Sequence, residues 1–303
     1  MLSRHNYRGI TWVDLESPTP SEVRQVMGEF NIHPLVGEEL LTPSFKPKVD
    51  RYDQSLYLIL HFPTFGSRFS GATQEVDFVL GQNFVITTRY GSMDPFLRFS
   101  KIFEANSLLD RTDIGVHAGF VFIYMLRNLY RELDQELESL SLDMRRIEER
   151  IFAGQEREMV FELSRVSRAF LNFRQCLSPH GSVLESLETI GARIYGQDFV
   201  YSLKSVLSDY YRITNGLMSQ RDALLELRDT NNSLLSTKQN ETSKHLTMMA
   251  FVTFPLALLT SVFGMETTYL PIVGRPGDFW IIIGMMSLIT IGFFFFFKYK
   301  KWL

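Results

Sequence analysis

The chain has very little cysteine. Cys176 is its single thiol, which excludes an internal disulfide framework and suits a reducing compartment. Its six histidines show neither His-x-x-His nor His-Glu-x-x-His spacing, so we expect no catalytic zinc site and no enzyme activity. No phosphate-binding glycine loop occurs, and a net charge of −3 over 303 residues indicates no basic surface for nucleic acid. Residues 1–14 lack the apolar core of a signal peptide, so no cleaved signal is expected.

Charge is missing altogether from two runs near the C-terminal end. Residues 246–263 and 279–297 contain no Asp, Glu, Lys or Arg. About 20 apolar residues in a helix cross a hydrocarbon core of about 30 Å. Only residues 264–278 separate the runs, which is enough for a tight hairpin. Buried helices of a soluble core are the alternative, but such helices rarely run this long without charge. The sequence therefore predicts two membrane spans.

The charges beside the runs orient this hairpin. Basic residues flank its outer ends, whereas the loop has one basic residue, Arg275, beside two acidic ones. The flanking lysines are Lys238, Lys244, Lys298, Lys300 and Lys301. Under the positive-inside rule both termini are cytoplasmic and the loop faces outward. We therefore expect a multi-pass protein of the cell inner (plasma) membrane.

The first part of the chain has the pattern of a mixed α/β domain, over residues 1–112. β-branched and aromatic residues mark strands at 9–15, 56–62, 75–80 and 84–88. A helix is predicted to begin after Thr19, because Thr19, Pro20 and Glu22 form the sequence of a capping box.

Long helices follow, over residues 113–244. Apolar residues step by four and three in a heptad-like seam: Leu126, Tyr130, Leu133, Leu137, Leu140, Met144, Ile147 and Ile151. A second helix is predicted over 156–190, interrupted near Pro179 and Gly181. A third is predicted from 198 to 264, and a helix of that length would reach ~100 Å.

These observations predict an α+β fold with a cytoplasmic α/β domain, a long helical stalk and two transmembrane helices. The membrane part divides into a first helix at 245–264, an external loop at 265–278, a second helix at 279–297 and a basic tail at 298–303. Two spans cannot enclose an aqueous path, and a long stalk helix cannot bury its apolar positions alone. Several subunits around one axis would both enclose an aqueous path and bury the apolar positions of the stalk helices.

The chain resembles the CorA divalent-cation channels over nearly its whole length. The segments that carry the resemblance are HPLVGEELLTPSFKPKVDRYDQSLYLIL (33–60), NFVITTRYG (83–91), QRDALLELRD (220–229), KQNETSKHLT (238–247), Phe254-Pro255-Leu256, FGM (263–265), Pro271 and KYKKWL (298–303). Single fragments are weak signals. Their order, and their distances from two C-terminal spans, are specific.

The resemblance implies a homopentameric funnel in membrane lipid, in which the first span lines the pore and the second surrounds it. Its cargo is a divalent cation, and it has no resident cofactor. The positions matching the family's pore face are Asn240, Ser243, Leu246, Phe251, Phe254 and Ala257. A ring of Asn240 amides would hold a hydrated ion, and rings of Leu246 and Phe254 would form an apolar gate that closes by dewetting.

A second interpretation of the first span stays open. Ala250, Ala257, Ser261 and Gly264 are small residues at steps of three, four or seven. Such stripes commonly mark close helix contact rather than a pore. Both roles are compatible if they fall on adjacent faces of the helix.

The main departure from the family lies at the end of the first span. The family signature is Gly-Met-Asn, and this chain has Gly264-Met265-Glu266. The resemblance implies that neutral amides at the outer mouth are replaced by a ring of carboxylates, with Glu266 and Asn240 as the metal-contacting positions. Mg²⁺ dehydrates reluctantly, whereas Zn²⁺ accepts carboxylate ligands directly. The expected cargo is therefore Mg²⁺, Zn²⁺, Co²⁺ or Ni²⁺, with zinc or broad selectivity nearly as well supported as magnesium. The family includes zinc transporters that depart from this triplet.

A second departure concerns regulation. Family members carry an Asp near the start of the stalk helix that helps metal close the channel, and the aligned residue here is Ser205. Metal-sensing closure is therefore expected to be lost or moved, with Asp209 as a weak substitute. The competing functional class is a non-conducting, membrane-anchored structural or metal-sensing protein that kept this architecture.

Overall fold

The computed structural model describes residues 1–44, 46–64, 73–109, 117–265, 272–274, 276–300 and 302. They form two compact units, residues 1–228 and residues 229–303. The first contains a sheet with helices on both faces, and the second contains the two apolar helices.

A six-stranded sheet organises the first unit. Its strands are β1 (Leu2–Tyr7), β2 (Ile10–Glu16), β3 (Lys48–Tyr52), β4 (Ser55–Pro63), β5 (Thr73–Leu80) and β6 (Phe84–Arg89). Their spatial order is β1-β2-β6-β5-β4-β3, and every pair is antiparallel except β2 with β6. The four predicted strands are confirmed as β2, β4, β5 and β6. The sequence prediction missed β1 and β3 because they are partly exposed edge strands without an apolar run.

Two short helices cover one face of this sheet. They are α1 (Pro20–Phe30) and α2 (Pro34–Glu39). The predicted capping box is confirmed: the Glu22 N–H donates to Thr19 Oγ1 at 3.3 Å, and the Thr19 N–H donates to Glu22 Oε2 at 2.8 Å. Val23 and Val26 of α1 are buried in one core with Val13, Ile59 and Val79 of the sheet.

The other face is covered by helices that follow β6 in the sequence. They are α3 (Asp94–Leu109), α4 (Ala118–Phe152), α5 (Glu156–Leu177) and α6 (His180–Tyr195), followed by α7 (Gln197–Phe263). Aromatic side chains form the contact: Trp12 meets Phe99, with ring centroids 4.8 Å apart, and Phe78 meets Phe122 at 5.1 Å. α3 was not predicted. Its aromatic residues are spaced for this face, and Asp94 followed by Pro95 is a helix start signal that the sequence prediction did not use.

The predicted helical organisation is confirmed in most respects. All eight residues of the heptad-like seam on α4 are buried. The second predicted helix is two helices, α5 and α6, which are separated at Ser178 and Pro179. α7 has the expected 67 residues and begins and ends one residue earlier than predicted. Pro255 lies inside α7, where it supplies no backbone donor to the preceding turn.

A buried histidine joins three elements of this unit. His180 is fully buried; its Nε2–H donates to the carbonyl of His61 in β4 at 2.8 Å, and its Nδ1 accepts from the Tyr130 hydroxyl of α4 at 2.8 Å. Burial lowers the pKa of His180 to about 4. The neutral ring is therefore the form that holds α4, α6 and β4 together.

This histidine predicts a pH dependence of stability. The folded-state pKa lies below the ordinary value of about 6.5, so the unfolded chain binds more protons, and the free energy of unfolding falls as the pH drops from about 6.5 toward 4. Between pH 7 and pH 5 we expect a loss of about 2 kcal/mol from this residue. A His180→Gln variant should lose that share of the pH dependence in thermal unfolding of the full chain in detergent. A His245→Gln variant, at an exposed histidine, is the control. An unchanged pH slope in the His180 variant would refute this role.

Candidate functional site

The end of α7 and α8 (Asp278–Tyr299) form the second unit. Among the described residues, these are the two helices long and apolar enough to cross a membrane. They expose large apolar side chains: Phe254 is 72% exposed, Leu288 73% and Trp280 74%. Exposure of such an apolar surface to water is unfavourable, whereas lipid or another copy of the chain would cover it.

One side of each helix is partly covered. On α7 the half-buried residues are Val252, Pro255, Leu256, Leu259 and Phe263, which recur at helical spacing. On α8 they are Ile282, Met285, Met286, Ile289 and Phe293. The matching stripes indicate that α7 and α8 cover one another's faces and form a hairpin. The opposite side of α7 is open.

Five of the six predicted pore residues share that open side. Asn240, Ser243, Leu246, Phe254 and Ala257 are all exposed. At about 100° per residue they fall within an arc of about 120°, turned away from the covered stripe. The open face changes along its length from amide and hydroxyl groups to apolar groups.

Phe251, the sixth predicted pore residue, borders a second feature as well. It is 52% exposed, lies at the edge of the face, and lines a groove between α7 and α8. Phe251 therefore borders both the open face and α8, and its place in the pore lining stays a prediction.

The small residues of the first span lie on the open face as well. Ala257, Ser261 and Gly264 are exposed, and Ala250 is half-buried. Both interpretations of the helix, close contact and pore lining, therefore concern one side of α7.

The chain beyond the C-terminal end of α7 is described as far as Met265. The Gly264 N–H donates to the Thr260 carbonyl at 2.9 Å, and the Met265 N–H faces the Val262 carbonyl at 3.4 Å. A side chain at Gly264 would place its Cβ 3.0 Å from the Thr260 oxygen, which is tight. Glu266 and Pro271 lie outside the described residues.

The stalk residues for which the resemblance implies metal sensing are Ser205 and its weak substitute Asp209. Ser205 is exposed on α7. Asp209 lies 3.7 Å from Arg212, whose Nη1 contacts both oxygens of Asp134 at 2.8 Å. The Asp134 hydrogen bonds raise the pKa of Arg212. Asp209 therefore already has a cationic neighbour, and the part of the chain that the structure describes contains no group of three His, Cys, Asp or Glu residues suited to a metal.

Sequence reasoning missed a buried polar network in the first unit. The hydroxyls of Tyr57 and Tyr90 donate to Asp77 Oδ2 at 3.2 and 3.1 Å. Glu75 accepts from the Ser44 N–H at 2.7 Å. Burial and the neighbouring Glu75 carboxylate raise the pKa of Asp77 well above its usual range. Two acids at alternate positions of an apolar strand were the available signal, because they must share one face of the sheet.

A cavity of about 450 Å³ adjoins this network. Glu75 and Tyr90 line it together with His61, whose Nε2 lies 3.0 Å from Glu75 Oε2. The lone cysteine, Cys176, lines it from α5 and is 3% exposed. Burial raises the pKa of its thiol, which keeps it protonated and unreactive.

Comparison with known proteins gives one consistent family. The model of the CorA-like Mg²⁺ transporter protein family matches residues 7–300. A relative is the cobalt/magnesium transport protein CorA of Thermotoga maritima, which is 25% identical over 295 residues, covering 97% of this chain and 83% of that protein.

Solved structures share the fold. The complete structure of the CorA magnesium transporter from Methanocaldococcus jannaschii matches with a TM-score of 0.84 at 20% identity, covering 99% of this chain and 93% of that one. The ZntB cytoplasmic domain from Vibrio parahaemolyticus matches with a TM-score of 0.63 at 11% identity, over 75% of this chain and 88% of that one.

These findings confirm the predicted fold class: an N-terminal α/β region, a long helix and two C-terminal apolar helices. They also confirm the resemblance drawn from the sequence segments. The protein is a membrane transporter of divalent cations rather than an enzyme, and the chain belongs to the CorA-like Mg²⁺ transporter family.

Proposed function

We propose that five copies of the chain stand around a central axis and conduct divalent cations passively across the cell inner (plasma) membrane. The observation that carries the proposal is the open face of α7, an uncharged stripe from Asn240 to Ala257 on the side away from α8. One hairpin cannot enclose water, so this face needs copies of itself to become a pore wall.

Both termini are proposed to be cytoplasmic. Lysines precede the first span and follow the second, and the connecting loop carries a single basic residue, Arg275. In this orientation Asn240 and Ser243 meet the ion on the cytoplasmic side of the apolar segment. Glu266 belongs to the outer mouth.

The assembly can be tested directly. Because the open face of α7 requires a closed ring, the full-length protein in mild detergent should be a homopentamer by mass photometry. A monomer or a dimer under conditions that preserve transport would contradict the pore.

The apolar part of the face is the proposed gate. Leu246 is 62% exposed and Phe254 is 72% exposed in the single chain. In a ring, these side chains would narrow the path and exclude water. We therefore expect closure of the gate to depend on the size of these side chains rather than on their charge.

Shrinking the gate should raise the basal flux. We expect Leu246→Ala to increase metal uptake into proteoliposomes several-fold, because a wider constriction remains hydrated. Leu288→Ala on α8 removes the same atoms from an exposed position outside the proposed pore and should leave the flux unchanged. Equal flux in the parent and the Leu246 variant, with normal assembly, would place the gate elsewhere.

Selectivity is proposed to depend on Glu266. Five carboxylates at the mouth would repel one another, and a bound divalent cation would relieve that repulsion. Such a ring attracts Zn²⁺, Co²⁺ and Ni²⁺ as well as Mg²⁺, and it discriminates less by hydration shell than neutral amides do.

Uptake by proteoliposomes tests both conduction and selectivity. Mg²⁺, Zn²⁺, Co²⁺ and Ni²⁺ should be compared with and without a pH gradient. We expect Glu266→Gln to weaken Zn²⁺ uptake strongly, and Glu266→Asn to shift the preference toward Mg²⁺. Asp278→Asn removes the same charge from the start of α8, where Asp278 accepts the Phe279 N–H at 2.7 Å, and serves as the control.

The outcomes separate the alternatives. An unchanged ratio of Zn²⁺ to Mg²⁺ uptake in both Glu266 variants would show that this residue faces water away from the axis. No uptake of any metal by correctly assembled parent protein would support the non-conducting structural or sensing role.

A further inference from the structure

A groove between α7 and the last turns of α8 lies outside the proposed conduction path. Its volume is about 680 Å³, within the range of roughly 300–1,000 Å³ for small-molecule sites. Phe251 forms one wall, and Ile289, Phe293 and Phe296 form the other. The walls are wholly apolar along the spans.

One end of the groove has a different chemistry. Lys300 and Trp302 line it just beyond the end of α8. The backbone N–H of Trp302 donates to the Phe297 carbonyl at 2.9 Å, and the two rings stack with centroids 5.9 Å apart and planes 14° apart. These contacts hold Trp302 next to Lys300 at the end of the span, where tryptophan and lysine side chains commonly meet the headgroup region.

A glycine opens the groove. Gly292 lies on the lining face of α8 between Ile289 and Phe296, and a Cβ added there would meet no heavy atom within 4 Å. The phenylalanine wall is therefore interrupted at one position. The missing side chain leaves room for a linear apolar chain.

We propose that this groove binds an anionic phospholipid, with an acyl chain between Phe251 and α8 and its phosphate at Lys300. The inference depends on the membrane location of the hairpin, and it does not require conduction. Apolar walls that end in a cationic group and an interfacial tryptophan complement a lipid along its whole length.

Charge complementarity favours a lipid over a second copy of the chain. The spans themselves carry no acidic residue, so a neighbouring hairpin packed into the groove at this depth would offer no counter-charge to Lys300. A phosphate supplies that charge. A lysine near an anionic surface is attracted to it, which favours a lipid of net negative charge over a zwitterionic one.

Native mass spectrometry of the full-length protein in detergent tests the proposal. Phosphatidylglycerol and phosphatidylcholine with the same acyl chains are the two probes. We expect the parent to bind phosphatidylglycerol in preference, and Gly292→Leu to reduce its bound fraction several-fold because the new side chain fills the groove. Lys300→Gln should abolish the preference between the two lipids.

The chain offers a matched control for each variant. Gly284→Leu makes the same change on α8, where an added Cβ also meets nothing within 4 Å, but Gly284 does not line the groove. Lys298→Gln removes a charge two residues before Lys300, outside the lining. Both controls should bind phosphatidylglycerol as the parent does.

Three results would overturn the proposal. Equal binding of the two lipids by the parent would remove the charge argument. Equal loss in Gly284→Leu and Gly292→Leu would show that the groove is not the site. A change of oligomer mass in Gly292→Leu alone would show that a second copy of the chain occupies the groove. All three results come from lipid binding or oligomer mass and involve no measurement of metal transport. Failure of this proposal can therefore be told apart from failure of the proposed function.

Discussion

The hydrocarbon core imposes the constraint on which the membrane part of this protein depends. A lone apolar hairpin satisfies its backbone hydrogen bonds inside each helix, but it has no surface that water or an ion can follow. The α7 helix resolves this with two unlike sides. Val252, Leu259 and Phe263 are partly covered on the side toward α8, whereas Asn240 and Ser243 begin an open face that a single chain cannot bury. In the proposed assembly, repetition of the chain around an axis makes that face the wall of a pore.

Charged side chains lie only at the ends of the spans. The open face of α7 and the groove beside α8 are proposed to bind ligands of opposite charge. The proposed pore carries a cation, and the groove beside α8 is proposed to carry a phosphate at Lys300. Phe251 of the groove and Phe254 of the proposed gate lie three residues apart on one helix. A lipid in the groove would therefore contact the same turn of α7 that narrows the pore, so lipid composition and conduction would share a structural element.

Most of the architecture could be predicted from the sequence because it depends on strong local signals. The capping box at Thr19, the seam of α4 and the length of α7 each follow from residue types at fixed spacing. The edge strands β1 and β3 have no such signal, because a half-exposed strand needs no apolar run. α3 was missed although Asp94 and Pro95 mark its start, because the prediction assigned this part of the chain by its strand pattern alone.

The candidate site was predictable only in part. Helical spacing placed Asn240, Leu246 and Phe254 on one side of α7, as the structure has them. Phe251 lies at the edge of that arc and also lines the groove beside α8, and spacing on α7 cannot reveal where α8 packs. The network at Asp77 was missed because its partners come from distant strands and a loop, and only the fold brings them together.

The solitary cysteine has a practical consequence for this protein. Cys176 is shielded in the interior of the first unit, and burial raises the pKa of its thiol. Any thiol introduced on the open face of α7 would therefore be the reactive one, even without removal of the native cysteine. Spin labels and fluorophores can thus be placed one position at a time along the helix, with the natural sequence as the background and its buried thiol as a built-in reporter of unfolding.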